Sequence, residues 1–142
     1  MRKLVSRTVV MAAITVFVPL NAWAGTPSPP GAHVYIISPN DGDTVSNPVT
    51  VRFGLAGMGV APAGVDRANT GHHHLLIDQP DLPPLDAPIA ADEHHIHFGG
   101  GQTETTIDLD PGEHTLQLLL GDMNHIPHEP EVVSEKITVT VE

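Results

Sequence analysis

The chain of 142 residues contains no cysteine and few aromatic side chains, with one tryptophan, one tyrosine and three phenylalanines. Without cysteine the protein has no disulfide and no thiol nucleophile, so its core must hold the fold unaided. Because aromatic residues are scarce, we expect that core to be aliphatic. Basic residues are also few, six against seventeen acidic ones, and the formal net charge of −11 disfavours nucleic acid and anionic lipid as partners.

The first 24 residues have the pattern of a secretory signal peptide. A basic start precedes an uncharged run over residues 9–20, which is too short to span a membrane, and Ala22-Trp23-Ala24 fits a small-x-small cleavage site. We expect cleavage after Ala24 and a periplasmic or secreted product, with a retained N-terminal anchor as the alternative. Loss of three basic residues with this segment would lower the formal charge by three, from −11 to −14. Residues 25–32 are then expected to form a flexible leader, and residues 33–142 a single domain without membrane contact.

Short segments rich in β-branched residues predict an all-β fold. Alternation of apolar and polar residues is clearest in VTVRF and ITVTV, and no window has the pattern of an amphipathic helix. Residues 54–70, 79–93 and 122–133 are rich in Gly, Pro or acidic residues and are predicted to be loops. We expect an immunoglobulin- or fibronectin-like β-sandwich of about seven strands, with a small barrel as the alternative. The predicted strands are residues 33–38, 49–53, 73–78, 103–109, 114–121 and 137–141.

Ten histidines occur in the chain, and nine of them follow residue 71 in tight groups. On a strand, residues i and i+2 share a face, so His72 and His74 would lie together if the strand begins that early. His95 and His97 repeat the same spacing. Neutral imidazole binds zinc, copper(II) or nickel, whereas the two methionines of the expected mature chain, Met58 and Met123, are too few for a methionine-rich copper(I) site. The candidate ligands of a divalent copper or zinc ion are His72, His73, His74, His95, His97, His114, His125, His128 and Asp122.

Convergence of these ligands is the specific expectation. The motifs flank loops, and the loops of a sandwich gather at its ends. We therefore expect His72, His74 and His97 to meet at least one of four other histidines near one end of the domain. Ion affinity should then fall as the pH drops through about 6.5, where unperturbed imidazole titrates. The four other histidines are His95, His114, His125 and His128.

Structural roles compete with ligation for some of these residues. His73 shares its face with Leu75 and Ile77 and fits a core histidine, and His114 beside Glu113 fits a surface turn. Catalysis has little support, because the sequence has neither a G-x-S-x-G nor an H-E-x-x-H motif. A water activated by an ion on three histidines is chemically possible and would make the protein an enzyme.

Four motifs, in order, carry a resemblance to a known family. They are GHHHLLID at residues 71–78, HFGGGQTE at 97–104, PGEHTLQL at 111–118, and the segment 121–134. Together they resemble the bacterial exported family catalogued as domain of unknown function 4399, which implies an exported β domain and transfers no activity. A fainter resemblance is to periplasmic copper-carrier sandwiches of the CopC type, through residues 38–42 and 122–128. Those carriers need an N-terminal histidine, and Gly25 stands at the expected mature terminus.

Three functions of different class remain. The first is a periplasmic histidine-rich protein that buffers, carries or senses copper or zinc, with the ion and a second periplasmic protein as partners. The second is an immunoglobulin-like interaction module outside the cytoplasm, whose histidines are structural or pH-responsive. The third is a metal-dependent hydrolase. The oligomeric state is left open.

Overall fold

The computed structural model describes residues 25–142, which form nine β-strands and no helix. The predicted signal peptide and its cleavage site before Gly25 lie outside the described residues. Within them, no helix is long and apolar enough to cross a membrane. The strands are β1 (His33–Ser38), β2 (Thr44–Val45), β3 (Val49–Ala56), β4 (Gly59–Val60), β5 (Thr70–Ile77), β6 (His95–His97), β7 (Glu104–Ile107), β8 (Gly112–Gly121) and β9 (Ile137–Val141).

Two open sheets make up the domain. The smaller sheet has the order β1-β3-β7, and the larger has the order β2-β9-β8-β5-β4. Strand β5 pairs antiparallel with β8 along one edge. Its other edge is shared by β4, which pairs at the start of β5, and by β6, which pairs further along. This arrangement places β5 at the centre of the histidine-rich part of the fold.

The core lies between the two sheets and is mainly aliphatic, as its composition predicts. Leu75 of β5 and Leu118 of β8 are completely buried and pack against Val51 of the smaller sheet. The aromatic contribution comes from Phe53 and Phe98, whose ring centroids are 4.8 Å apart. The all-β sandwich is therefore confirmed, and the open edges of both sheets replace the alternative of a closed barrel.

The six strand predictions are close to the structure, but the count of about seven is too low. Strands β1 and β9 have the predicted bounds, whereas β3, β5 and β8 each extend beyond them by two or three residues at one end. The short strands β2, β4 and β6 were not expected, because two or three residues are too few to show alternation. For β5 the earlier start matters most, since it brings His72 into the strand.

Two loops and the N-terminal segment cover the larger sheet. Residues 25–32, expected to be flexible, pair with the loop after β8, since Ser28 N–H donates to the Glu129 carbonyl at 3.0 Å. The long acidic loop 79–93 crosses the outer face of the sheet, where Ile89 packs on Leu76 and Leu119 in a second apolar cluster. Lys136 Nζ holds the start of this loop through two backbone carbonyls. The outer face of the larger sheet is therefore covered around this cluster.

Candidate metal centre

The alternation of β5 separates its three consecutive histidines. His73 faces the core, where its ring centroid lies 5.2 Å from that of Phe53. His72 and His74 point to the outer face, the side on which Leu76 joins the second apolar cluster. Across the β5–β8 pair, His72 lies opposite Gly121 and His74 lies opposite Leu119. Two imidazoles therefore stand side by side on a strand that is covered from solvent.

Strand β6 adds a third imidazole to the same face. The register pairs His97 with His74, and directly paired residues of neighbouring strands share a face. The ring centroid of His97 lies 5.1 Å from that of His74 and 5.0 Å from that of His72. One ring nitrogen from each of the three residues lies within 4.8 Å of the others. We call His72, His74 and His97 the histidine trio.

His125 reaches the trio from the loop after β8. Its ring centroid lies 5.1 Å from that of His72 and 4.6 Å from that of His97. Its backbone adopts a left-handed conformation with φ of 67°, which costs a residue with a side chain about 1–3 kcal/mol. The Asp122 carboxylate holds this turn, since Oδ1 accepts from the Asn124 N–H at 2.8 Å and from the Ile126 N–H at 3.0 Å. We call the trio together with His125 the histidine cluster.

Two glycines make room for these rings. A Cβ built on Gly121 would lie 2.6 Å from Cε1 of His74 and 3.4 Å from the Cα of His125. A Cβ on Gly99 would collide with the His97 ring. A side chain at either position would displace an imidazole, so these glycines belong to the site although they carry no ligand atom.

Two members of the trio are buried, the third is half-buried, and all three are short of hydrogen bonds. His72 and His74 have no solvent exposure, and among the described residues no hydrogen-bond partner reaches either ring nitrogen of these two or Nε2 of His97. A buried polar group left without a partner costs about 1–3 kcal/mol. The outer face therefore carries several unsatisfied imidazole nitrogens beside an apolar cluster, which is an unfavourable arrangement for a purely structural surface.

Burial also keeps these imidazoles neutral. It lowers the pKa of His72 to about 4, with further lowering by the charges of His97 and His125 when they are protonated. It lowers the pKa of His74 to about 3, helped by its three cluster neighbours, and it lowers the pKa of His97 as well. Neutral imidazole is the form that binds a metal ion. Protons should therefore compete with an ion at lower pH than the 6.5 expected from unperturbed groups.

Three predicted ligands lie elsewhere on the sheet. His73 is in the core, as described above. His114 pairs with Val139 and is five residues from Leu119 along β8, or about 17 Å from the cluster. Its burial alone would lower its pKa, but the Asp78 carboxylate at 2.7 Å and the Asp110 carbonyl at 2.8 Å raise that pKa on balance. His95 lies opposite Leu76, and its Nδ1 is 2.8 Å from the Asp92 carboxylate.

His128 and Asp122 tie the loop after β8 to the N-terminal segment. His128 is buried, its Nδ1 lies 3.0 Å from Thr26 Oγ1, and its Nε2 abuts Gly71. Asp122 uses both carboxylate oxygens for backbone N–H groups, with Oδ2 accepting from Thr26 at 3.2 Å. These contacts position the loop, and the Asp122 charge also acts on the trio, where it raises the pKa of His72 against the larger lowering by burial. Of the nine residues proposed as ligands, the structure brings together His72, His74, His97 and His125.

Together, the fold and the site define the protein as an all-β sandwich that carries a histidine cluster on the outer face of its larger sheet. The family model described as "Domain of unknown function (DUF4399)" matches residues 51–142, and the chain belongs to this family. The match runs from within β3 to the end of β9 and includes every member of the histidine cluster. Neither the search of curated proteins nor the search of solved structures gave a match. The likeness to copper-carrier sandwiches thus stays a resemblance of sequence motifs.

Proposed function

We propose that the protein binds one divalent transition-metal ion, zinc(II) or copper(II), at the histidine trio, and that it buffers, carries or senses that ion outside the cytoplasm. The observation that supports this most is the trio itself. Three imidazoles present ring nitrogens within 4.8 Å of one another, and His72 and His74 have no hydrogen-bond partner within the described part of the chain. A bound ion would satisfy one nitrogen of each ring.

The chemistry of the trio favours borderline ions. It offers nitrogen ligands alone, which suit zinc and copper(II), whereas magnesium and calcium require oxygen. A tetrahedral ion with bonds of about 2.0–2.1 Å would draw its ligand nitrogens to about 3.3 Å from one another, so small ring rotations would close the trio. The net charge of −11 raises the local concentration of cations around the domain.

Export and carriage rest on the N-terminal pattern and on the acidic surface. A signal peptide would deliver the domain to a compartment where ions arrive from outside the cell. An interaction module with structural histidines is the competing function. It predicts that the trio contributes equally to stability with and without metal, which gives the two functions opposite outcomes in one experiment.

Calorimetric titration of the full chain, purified without a histidine tag, tests the proposal. Zinc(II) and copper(II) are titrated separately at pH 7.5 into the wild type and into the triple variant His72→Ala/His74→Ala/His97→Ala. We expect one ion per chain, with a Kd tighter than about 10 µM, or about −7 kcal/mol, in the wild type. The triple variant should lose this binding. Saturating metal should also raise the Tm of the wild type by mass action on the folded state.

His33→Ala is the matched control, because His33 is an exposed histidine on β1 of the other sheet. Its binding and metal-dependent Tm should equal those of the wild type. Wild-type affinity weaker than about 10 µM would contradict the proposal. So would a triple variant that binds as tightly as the wild type while remaining folded by circular dichroism. Equal destabilisation of the triple variant in the presence and absence of metal would favour the interaction module.

A further inference from the structure

We infer that His125 is the fourth ligand of the proposed ion and completes a tetrahedral four-imidazole centre, leaving no open position for a reacting water. This inference rests on the proposed function and specifies the kind of metal site. The trio comes from two paired strands, whereas His125 comes from the loop after β8. Its position over the trio, rather than its place in the sequence, identifies it.

The ring centroids of the cluster are spaced close to the distances of a tetrahedral site, whereas the ring nitrogens within 4.8 Å of one another are those of the trio, so His125 must turn its ring towards the ion. An ion about 2.0–2.1 Å from each ligand nitrogen lies about 3.2 Å from each ring centroid, so four tetrahedral imidazoles have centroids about 5.2 Å apart. In the histidine cluster the six centroid distances run from 4.6 to 6.2 Å, and four of them are 4.8, 5.0, 5.1 and 5.1 Å. The longest, 6.2 Å, joins His74 and His125.

The backbone around His125 fixes where its ring can lie. The His125 N–H donates to the Asp122 carbonyl at 2.9 Å, and the His125 carbonyl accepts from the Ile89 N–H at 2.8 Å. Hydrogen bonds to its backbone N–H and carbonyl thus hold His125, in its left-handed conformation, beside the trio. Ile89 belongs to the apolar cluster on the same face, which links the long acidic loop to the position of His125.

A metal site with four protein ligands can bind an ion but has no free position for catalysis. Catalytic zinc sites keep three protein ligands and an open fourth position for water, whereas four protein ligands close the coordination sphere. Four imidazoles also favour a tetrahedral ion of zinc type over copper(II), which prefers tetragonal geometry. The inference therefore assigns the ion a non-catalytic role and argues against the metal-dependent hydrolase. Of the four ligands, His125 on the loop is the one that can release the ion without breaking the pairing of two strands.

Cobalt(II), a spectroscopic probe of zinc sites, tests the inference in the full chain at pH 7.5. The test variant is His125→Asn, because asparagine also tolerates a left-handed backbone and the turn should survive. The wild type should give the intense visible absorption of a tetrahedral cobalt centre. The variant should give a weaker spectrum of higher coordination number and at least a tenfold loss of zinc affinity. Added free imidazole should restore the wild-type spectrum in the variant.

His95→Ala is the control, since His95 is a neighbouring histidine that bonds to Asp92 rather than to the trio. It should keep the wild-type spectrum. A His125→Asn protein whose cobalt spectrum and zinc affinity equal those of the wild type would overturn the inference and leave metal binding by the trio intact. Absence of cobalt and zinc binding in the wild type would also overturn the inference, and absence of copper(II) binding as well would reject the proposed function. Circular dichroism of each metal-free variant checks that the fold is retained.

Discussion

Acidification should strongly destabilise the metal-free protein at a pH above the titration range of its carboxylates. Three consecutive buried histidines carry this effect, because burial lowers the pKa of His72 and His73 to about 4 and that of His74 to about 3. In the unfolded chain each imidazole titrates near 6.5. Between these values the unfolded state binds more protons than the folded state, so the free energy of unfolding decreases as the pH falls.

The size of the effect follows from the three protons that the unfolded chain binds and the folded protein does not. Well below pH 6.5, the free energy of unfolding should fall by about 4 kcal/mol per pH unit, since each proton contributes about 1.4 kcal/mol. Integrated from pH 7.5, the loss reaches about 6 kcal/mol by about pH 5. A domain of this size is stable by only about 5–15 kcal/mol, so this loss is enough to unfold it or leave it marginal. Burial also lowers the pKa of His97 and His128, and their contributions have the same sign.

Other groups do not produce this pattern in the same window. Unperturbed carboxylates titrate near 3.9 to 4.3, so they matter mainly below about pH 5. Acid also relieves the repulsion among seventeen acidic residues, which would stabilise the fold rather than weaken it. His114 has a raised pKa, and its stabilisation is complete below its unfolded value of 6.5 and is lost only as the pH rises through the folded value. A steep decline between pH 6.5 and 5 therefore reports on the buried histidines.

Urea unfolding, followed by circular dichroism in the presence of a chelator, measures this decline. The midpoint should change little between pH 8 and 7, fall steeply below pH 6.5, and approach zero urea near pH 5. Recovery on return to pH 7.5 would show that unfolding, not aggregation, is measured. A midpoint at pH 5 equal to that at pH 7.5 would refute the reasoning, because it would require the three histidines to be protonated or hydrogen-bonded in the folded state.

Three further changes test neighbouring parts of the structure. His73→Leu replaces a core imidazole without a hydrogen-bond partner, so it should raise the free energy of unfolding at pH 7.5 by about 1–3 kcal/mol. It should also reduce the slope of that free energy against pH by about a third. Lower stability of the variant in urea at pH 7.5 would contradict this. Gly121→Ala places a Cβ 2.6 Å from a ring carbon of the histidine cluster and should weaken zinc binding, measured by calorimetry, whereas Gly59→Ala meets its nearest neighbour at an ordinary 3.5 Å and should not. Asp78→Asn removes the carboxylate that bonds the His114 ring, so the pKa of His114 should fall in an NMR titration; an unchanged pKa would refute this assignment.

Strands could be predicted from the sequence where apolar and polar residues alternate over enough consecutive positions. Strands β1 and β9, of six and five residues, have the predicted bounds because one face of each packs on the core. Strand β6 has three residues, and it follows an acidic, proline-rich segment that indicates a loop. Its existence depends on pairing with β5, a contact between segments about 20 residues apart, and no local pattern encodes that pairing.

The histidine cluster was only partly predictable for the same reason. The i, i+2 rule placed His72 and His74 on one face, but it required a strand that begins before them, and the structure starts β5 at Thr70. The register of β5 with β6 and the turn at Asp122 select His97 and His125 from the remaining candidates. Closeness in sequence was a poor guide, since His95 and His128 each lie within three residues of a cluster member and face other partners.

The outer face of the β5–β8 pair changes from leucine to histidine within a few residues, and this change bears on function. Leu76 and Leu119 form a dry apolar cluster beneath Ile89, and His74 and His72 continue the same face directly beyond them. Leucine at those two positions would extend the apolar cluster without burying an unpaired polar group. Imidazole instead leaves ring nitrogens unsatisfied, at about 1–3 kcal/mol for each group. A metal ion bound at the trio would offset part of that cost by taking one nitrogen from each ring.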